Sequence, residues 1–356
     1  LGMSLLVSQG LIMLGCSNGS NSYSILPSAQ NFVQTTTNTK MDILWVIDNS
    51  GSMKPSQDAI AANFTSFIQD FSAKNFDYQL SVITSDAYRA YPAFNNGNYV
   101  WSKAGFKDGT NQTSHTGVFV INPLTPNIVA TFMTNMIQGI NGNGDERPFQ
   151  SFKAALDPAN TNAQNAGFIR PNSFLAVILV TDEDDFSNDT NTYMENVYNS
   201  PVHSVASYNT LLSNLTNSSG ATKRYSVSTM AITNQSCLNT ILAQPNNPGG
   251  QKIGTRVMEL ATMTGGMIGS LCGNFANTLK ALSDGIISLS TQFYLDREPI
   301  PSTIHVVVNG GIVPEAATNP LADGGWTYDP LAQSLVFSGA YIPPQGASIS
   351  VAFDPV

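Results

Sequence analysis

Apolar residues recur along this chain in two rhythms. Short continuous runs, DILWVI at 42–47, DYQLSVIT at 77–84, FLAVILVT at 174–181 and RYSVSTMAI at 224–232, have the length and composition of strands buried on both faces. Between them the period lengthens. Pro55 opens a segment in which Ile60, Phe64, Phe67, Ile68 and Phe71 recur at i, i+4, i+7, i+8 and i+11, one stripe of a helix. The pattern predicts further helices over 125–138, 147–156, 203–215, 251–263 and 273–291, and a short strand over 267–271. The stretch 85–122, rich in Asn, Gly, Tyr and Thr, reads as an irregular excursion with a short edge strand near Val118–Ile121. Buried strands separated by helices imply an α/β fold, a doubly wound and mostly parallel sheet with helices on both faces. That unit is placed at 41–295. Beyond it, at 296–356, alternating runs broken by Asn-Gly, Gly-Gly and Pro-Pro predict a small all-β C-terminal module.

The N-terminal residues belong to neither pattern. An apolar stretch closed by Leu14-Gly15-Cys16 reads as a signal-peptide core followed by a lipoprotein-type acylation site, with Cys16 as the lipidated residue. It is too short and interrupted to span a bilayer. The competing reading is a plain secretory peptide with an incidental Cys. Ser17 resembles the outer-membrane sorting preference. Residues 17–40, rich in Ser, Asn, Thr and Gln, then form a tether, which at random-coil scaling reaches roughly 25–30 Å.

Composition supports export. Only 11% of the 356 residues are charged, against about 25% in an average soluble protein, and Asn, Ser, Thr and Gln make up the polar surface. The net charge of −9 with no basic run argues against nucleic acid and anionic membrane surfaces as partners. With Cys16 lipidated, Cys237 and Cys272 remain. In an exported chain two such cysteines pair, tying a 237–250 loop to the closing helix; the alternative is two free buried thiols.

The chemistry concentrates where the first strand stops. In WVIDNSGSMKPS, Asp48, Ser50 and Ser52 stand on a Gly-containing turn at the carboxyl end of a buried strand, and Asp182 follows another. Ligands of parallel α/β sheets bind at that rim. A carboxylate with hydroxyls suits a hard cation, Mg²⁺, Mn²⁺ or Ca²⁺, and suits Zn²⁺ or Cu²⁺ poorly.

Asp48-Asn49-Ser50-Gly51-Ser52, set after ILWVI and before an amphipathic helix, with LVTD later, resembles the DxSxS signature of von Willebrand factor A domains, the metal-ion-dependent adhesion site (MIDAS). The resemblance covers about 41–292. It implies that Asp48, Ser50 and Ser52 hold the ion, directly or through water, and that Asp182 supports them from behind. It also implies a Thr from an intervening loop and an acidic group from the partner. This chain departs from the pattern at the Thr: the loop reads GNGDERPFQSFKAAL, with Glu146, or Asp145, in its place. A third carboxylate would make the site net negative, so the ion is held more tightly or the partner contributes a neutral oxygen. The alternative has Glu146 facing solvent and capping its helix.

The run Asp182-Glu183-Asp184-Asp185, with Asp189 nearby, exceeds what one supporting carboxylate requires. It admits a second Ca²⁺ site through Asp184 and Asp185, or a solvated acidic loop. Asp86 is a further candidate for the same rim. His115, His203 and His305 lie in unrelated segments with no nucleophile pattern, and no HExxH, G-x-S-x-G or P-loop occurs. The expectation is a protein that is not an enzyme; a hydrolase using metal-bound water lacks a distinct general base. Tyr88, Tyr91, Phe94, Tyr99 and Trp101 of the excursion either anchor a partner or pack the excursion down. The expected function is divalent-cation-dependent, adhesion-type binding of a protein or surface ligand by an outer-membrane or cell-surface lipoprotein, with a periplasmic location as the alternative. The rival is a scaffold subunit of an envelope assembly with a permanently occupied metal site.

Overall fold

The computed structural model describes residues 40–73, 76–110, 114–218, 223–295, 297–316, 324–330, 333–344 and 347–356, and of 70–73 the backbone only. Cys16 and the 1–39 segment, with the expected signal peptide, lipidation site and tether, lie outside them. Among the described residues no helix is long and apolar enough to cross a membrane.

The buried runs form the strands that their composition predicts. β1 (Lys40–Ile47), β2 (Asp77–Thr84), β3 (Phe174–Val180), β4 (Tyr225–Ala231) and the short β5 (Ile268–Ser270) make one five-stranded sheet in the order β2-β1-β3-β4-β5, parallel throughout. Successive side chains point to opposite faces, so each central strand supplies two cores. Ile43, Trp45 and Ile47 of β1, with Ala176, Ile178 and Val180 of β3, face one core; Leu44, Val46, Leu175, Val177 and Leu179 face the other.

The first face is covered by α1 (Lys54–Asn63), α2 (Thr65–Ala73), α3 (Ile128–Met136) and α8 (Phe275–Ser290); the second by α4 (Pro148–Leu156), α5 (Val205–Leu215) and α7 (Thr255–Thr264). The single helix expected after Pro55 is divided at Phe64, whose N–H turns to Ala61 O at 3.3 Å. The apolar stripe survives the division. Phe64 stacks on Phe132 at 3.5 Å between centroids, and Trp45 meets Phe67 and Phe132 edge-on at 5.2 and 5.4 Å. The edge strand expected near Val118–Ile121 contracts to one antiparallel bridge, in which Leu80 and Ile121 exchange N–H···O bonds of 2.7 and 2.8 Å. The described remainder of the excursion includes short 3₁₀ turns at Ala87–Ala90, Pro92–Phe94 and Trp101–Ala104.

Beyond α8 the chain becomes antiparallel. β6 (Phe293–Tyr294), β10 (Ser334–Gly339) and β9 (Gly324–Asp329) form one three-stranded sheet; β11 (Ile349–Ala352), β7 (His305–Val308) and β8 (Gly311–Val313) form another. Phe293, Val306, Trp326, Phe337 and Val351 close a third core.

Cys237 and Cys272 are joined by a disulfide across 35 residues. Cys237 does not precede a loop, as expected; it lies inside α6 (Gln235–Leu242), capped where the Asn234 side chain accepts the Cys237 N–H at 2.9 Å. The bridge fastens this outlying helix to the turn between β5 and α8. A loop of this length is worth about 3–4 kcal/mol in the chain-entropy account. The double variant Cys237→Ser, Cys272→Ser should therefore lower the unfolding free energy by that amount, measured by urea unfolding.

Candidate metal centre

The register sets the site. Ile47 pairs with Thr84 on one side and Val180 on the other, so β1, β2 and β3 end level. The chain leaves β1 for β2 on one flank and returns to β3 on the other, a topological switch point of the kind where parallel sheets bind ligands. The ladder runs one residue further. Asp48 N–H donates to Val180 O and Ser85 N–H to Ile47 O, each at 2.9 Å, and Thr181 N–H to Met230 O at 3.1 Å. Asp48, Ser85 and Thr181 thus form one row on rigid backbone.

The turn then folds over this row. Ser50 N–H donates to Asp48 Oδ1 at 2.8 Å, and the Thr181 hydroxyl donates to Asp48 Oδ2 at 2.9 Å. Ser52 Oγ donates to Asp182 Oδ1 at 3.1 Å and lies 3.3 Å from Ser50 Oγ. Asp48, Ser50, Ser52 and Asp182 therefore converge, as the spacing predicted. Gln57, one turn into α1 and fully buried, fixes the neighbouring loop. Its amide donates to Asp48 O and Gly139 O at 2.8 and 2.9 Å, and its carbonyl accepts Gln138 N–H and Gly139 N–H. Gly142 N–H donates to Asn49 O at 2.8 Å; a Cβ at Gly142 would stand 2.5 Å from Asn49 Cγ, so only glycine permits this approach.

That loop delivers Glu146, not to solvent but to the interior. It is 1% exposed, and neither carboxylate oxygen makes a hydrogen bond. The reading of Glu146 as an exposed helix cap is thereby corrected: the cap of α4 comes from Asp185, which accepts Phe149 N–H at 3.0 Å. Asp145, the alternative ligand, is engaged elsewhere. It takes Arg147 Nε at 3.0 Å, while Arg147, wholly buried, also donates to the carbonyls of Asn188, Thr190 and Thr192 and lies 4.9 Å over the Tyr88 ring.

The acidic run is not a solvated loop either. Asp182, Glu183, Asp184 and Asp185 are all at most 5% exposed. Asp184 accepts Arg256 N–H at 2.9 Å and Val257 N–H at 3.3 Å, capping α7 from a distant segment. Asp185, besides capping α4, takes Ser187 Oγ at 2.7 Å and Arg256 Nη2 at 3.2 Å. Both expected Ca²⁺ ligands are thus occupied as helix caps, which removes the basis for a second ion there. Asp189 is exposed and pairs with His203 at 3.1 Å. Asp86 does join the rim, accepting Asn143 N–H at 3.2 Å and the Asn49 amide at 3.4 Å.

Four buried carboxylates therefore surround one turn: Asp48, Glu146, Asp182 and Glu183. Burial pushes the pKa of each upward, and Asp48 adds repulsion to the other three. Asp182 is raised to about 7 and Glu183 to about 9. Lys252 offsets Glu183 only in part, its ammonium 3.7 Å away. Crowded carboxylates, one with both oxygens unpartnered, fit a missing positive charge. Among the described residues no three His, Cys, Asp or Glu side chains form a metal cluster by themselves; this set would draw on serine hydroxyls as well. Thr181, Gln57 and Arg147 were not singled out in the sequence, and Glu183 only as part of the acidic run. Only LVTDED, with its hydroxyl and second acid beside Asp182, carried a local signal for any of them.

The excursion aromatics largely pack inward. Tyr88 is buried against Phe94 at 4.9 Å, whereas Tyr99, 55% exposed, stacks on Trp101 at 4.6 Å.

No family model matches the chain, and no curated protein matches it in sequence. Similar solved structures include proximal thread matrix protein 1 of the mussel byssus, at 14% identity over 73% of this chain and 50% of that one, with a TM-score of 0.36. One structure of the mussel protein has a zinc-occupied MIDAS motif, at 13% identity over 73% of this chain and 50% of that one, TM-score 0.34. The pilus adhesin SpaC of Lactobacillus rhamnosus GG, in its open conformation, matches at 12% identity over 91% of this chain and 39% of that one, TM-score 0.39. The pilus adhesin RrgA of Streptococcus pneumoniae matches at 9% over 91% and 58%, TM-score 0.33. The chain spans about half the length of the mussel protein and less than two thirds of either adhesin.

Proposed function

We propose that this is a von Willebrand factor A-like binding protein of the cell envelope whose rim holds a divalent cation, Mg²⁺, Mn²⁺ or Ca²⁺, and uses it to grip a protein or surface ligand. One observation carries the reading: Glu146, buried with two unpartnered oxygens, stands beside the Asp48–Ser50–Ser52–Asp182 convergence. Asp48, Ser50, Ser52 and Glu146 would hold the ion. Asp182 orients Ser52, and Thr181 orients Asp48. When bound, the ion supplies a strong Lewis-acidic point at which a partner's oxygen docks. Because Glu146 adds negative charge, a neutral partner oxygen, an amide or hydroxyl, suits the site better than a carboxylate. The role is binding rather than catalysis. Export, suited by the disulfide, and a lipid anchor at Cys16 complete the proposal.

Calorimetric titration of Mg²⁺, Mn²⁺ and Ca²⁺ into chelator-treated protein tests it. The expected result is one site per chain, with Kd of about 10⁻⁴ M or tighter, lost in Asp48→Ala. No heat from protein verified to be metal-free would remove the ion from the mechanism. The near-complete burial of Asp48, Glu146 and Asp182 favours a second reading, a closed ion inside a scaffold subunit. That version predicts an ion that co-purifies and leaves only with loss of the fold.

A further inference from the structure

Beside the rim, between the end of β2 and the excursion, lies a cavity of about 680 Å³. This is the size of a small-molecule site and far larger than one inorganic anion needs. Its lining departs from the rest of the chain. The protein carries a net charge of −9 on only 15 Lys and Arg, yet Arg89, Lys103 and Lys107 all open onto this space.

The two carboxylates that share the lining are already engaged. Asp86 holds Asn143 N–H and the Asn49 amide; Asp108 holds His115 Nδ1 at 2.8 Å and Gly117 N–H at 3.1 Å. Of the cations, Lys103 Nζ already donates to Asn95 Oδ1, and the other two are not engaged. Neither the Lys107 ammonium nor the Arg89 guanidinium has a hydrogen-bond or ion-pair partner among the described residues, and Lys107 is largely withdrawn from water: burial draws its pKa down, against the pull of Asp86 and Asp108. Neutral donors are free as well. The Asn162 amide nitrogen makes no bond among the described residues, and it reaches the cavity because Gly105 has no Cβ, which would stand 2.5 Å away. The hydroxyl of Thr84, only 6% exposed, is equally unengaged. Phe106 and Phe119 supply apolar surface. Unengaged donors gathered around one cavity favour a ligand rich in acceptor oxygens.

We propose that this cavity is a binding site for an acidic sugar, whose carboxylate answers Lys107 and Arg89 and whose hydroxyls answer Asn162 and Thr84. An extended acidic peptide fits less well. The β2 edge, which such a peptide would pair with, is closed by Ile121 on Leu80. Amide and hydroxyl side chains instead match groups that both donate and accept. The site is distinct from the metal centre, since none of the groups assigned to the sugar belongs to the ion's set.

The test is an NMR titration of the protein with galacturonate, glucuronate and N-acetylneuraminate, alongside galactose, succinate and inorganic phosphate. At about −0.3 kcal/mol per ligand heavy atom, a sugar acid should bind with Kd of about 1 mM. Galactose, succinate and phosphate should each bind at least tenfold more weakly than the best sugar acid. Lys107→Met, and independently the exposed Arg89→Gln, should each weaken that sugar acid at least tenfold. Binding should persist in chelator and in Asp48→Ala, so failure of the metal reading leaves this result untouched. Absence of binding by all three sugar acids, equal binding of galactose, succinate or phosphate, or indifference to both substitutions would overturn the assignment. Loss of binding in chelator would overturn it as a separate site.

Discussion

Replacing Glu146 by Gln should make the ion-free protein more stable and the ion weaker, two opposite effects of one atom change. Without a cation, neither Glu146 oxygen makes a hydrogen bond of normal geometry among the described residues, and burial and the neighbouring Asp48 carboxylate raise its pKa well above the ordinary range, offset only in part by the Ser85 hydroxyl. A buried polar group left unsatisfied costs about 1–3 kcal/mol, more when charged. The amide keeps the shape and removes the charge. Chelated Glu146→Gln should therefore gain about 1–3 kcal/mol of unfolding free energy where the wild-type carboxyl is charged, and the gain should shrink as acid protonates that carboxyl. With the charge gone, ion affinity should fall at least tenfold, about 1.4 kcal/mol. Unfolding and calorimetry on the same preparation read both. A variant that gained stability yet bound the ion undiminished would show that Glu146 is no ligand.

The second large effect is a reversal of the pH dependence of stability when the ion is added. Asp182 rises from 3.8 to about 7 and Glu183 from 4.5 to about 9 in the folded protein. The folded, ion-free chain therefore holds protons that the unfolded chain has released. Its stability is greatest near pH 4–5 and is lost as pH rises through 7 toward 9. For Asp182 alone the loss is on the order of 4 kcal/mol, shared with its coupled neighbours. A dication replaces those protons and is itself displaced by them, so loaded protein should gain stability over the same range. At one hundred times Kd the gain is about 2.7 kcal/mol. Thermal melts at pH 5, 6.5 and 8, in chelator and in excess Mg²⁺, compare the two. Parallel curves would mean that no cation enters this cluster.

Much of this was written in the linear sequence. The buried runs at 42–47, 77–84, 174–181 and 224–232 read as strands covered on both faces, because they are short, largely apolar and rich in β-branched side chains. Asp48 and Asp182, each one or two residues past such a run, had to lie at one rim, since parallel strands present their carboxyl ends together. Ser50 and Ser52 were legible from spacing alone. The caps were not. Asp184 and Asp185 stand beside Asp182 in sequence, but their hydrogen-bond partners are N–H groups of Arg256, Val257 and Phe149, in helices 36 to 73 positions away. Only the packing of α4 and α7 against the sheet decides that these acids are caps and not ligands. Glu146 was ambiguous for the same reason: a glutamate before a helix reads locally as a cap, and its burial follows from Gln57 and Gly142 drawing the loop inward. The cavity beside β2 was invisible in the sequence, because Arg89, Lys107 and Asn162 share no period and no motif. Local spacing determines which atoms a short turn can bring together; burial and long-range hydrogen bonding determine which of them remain free to act.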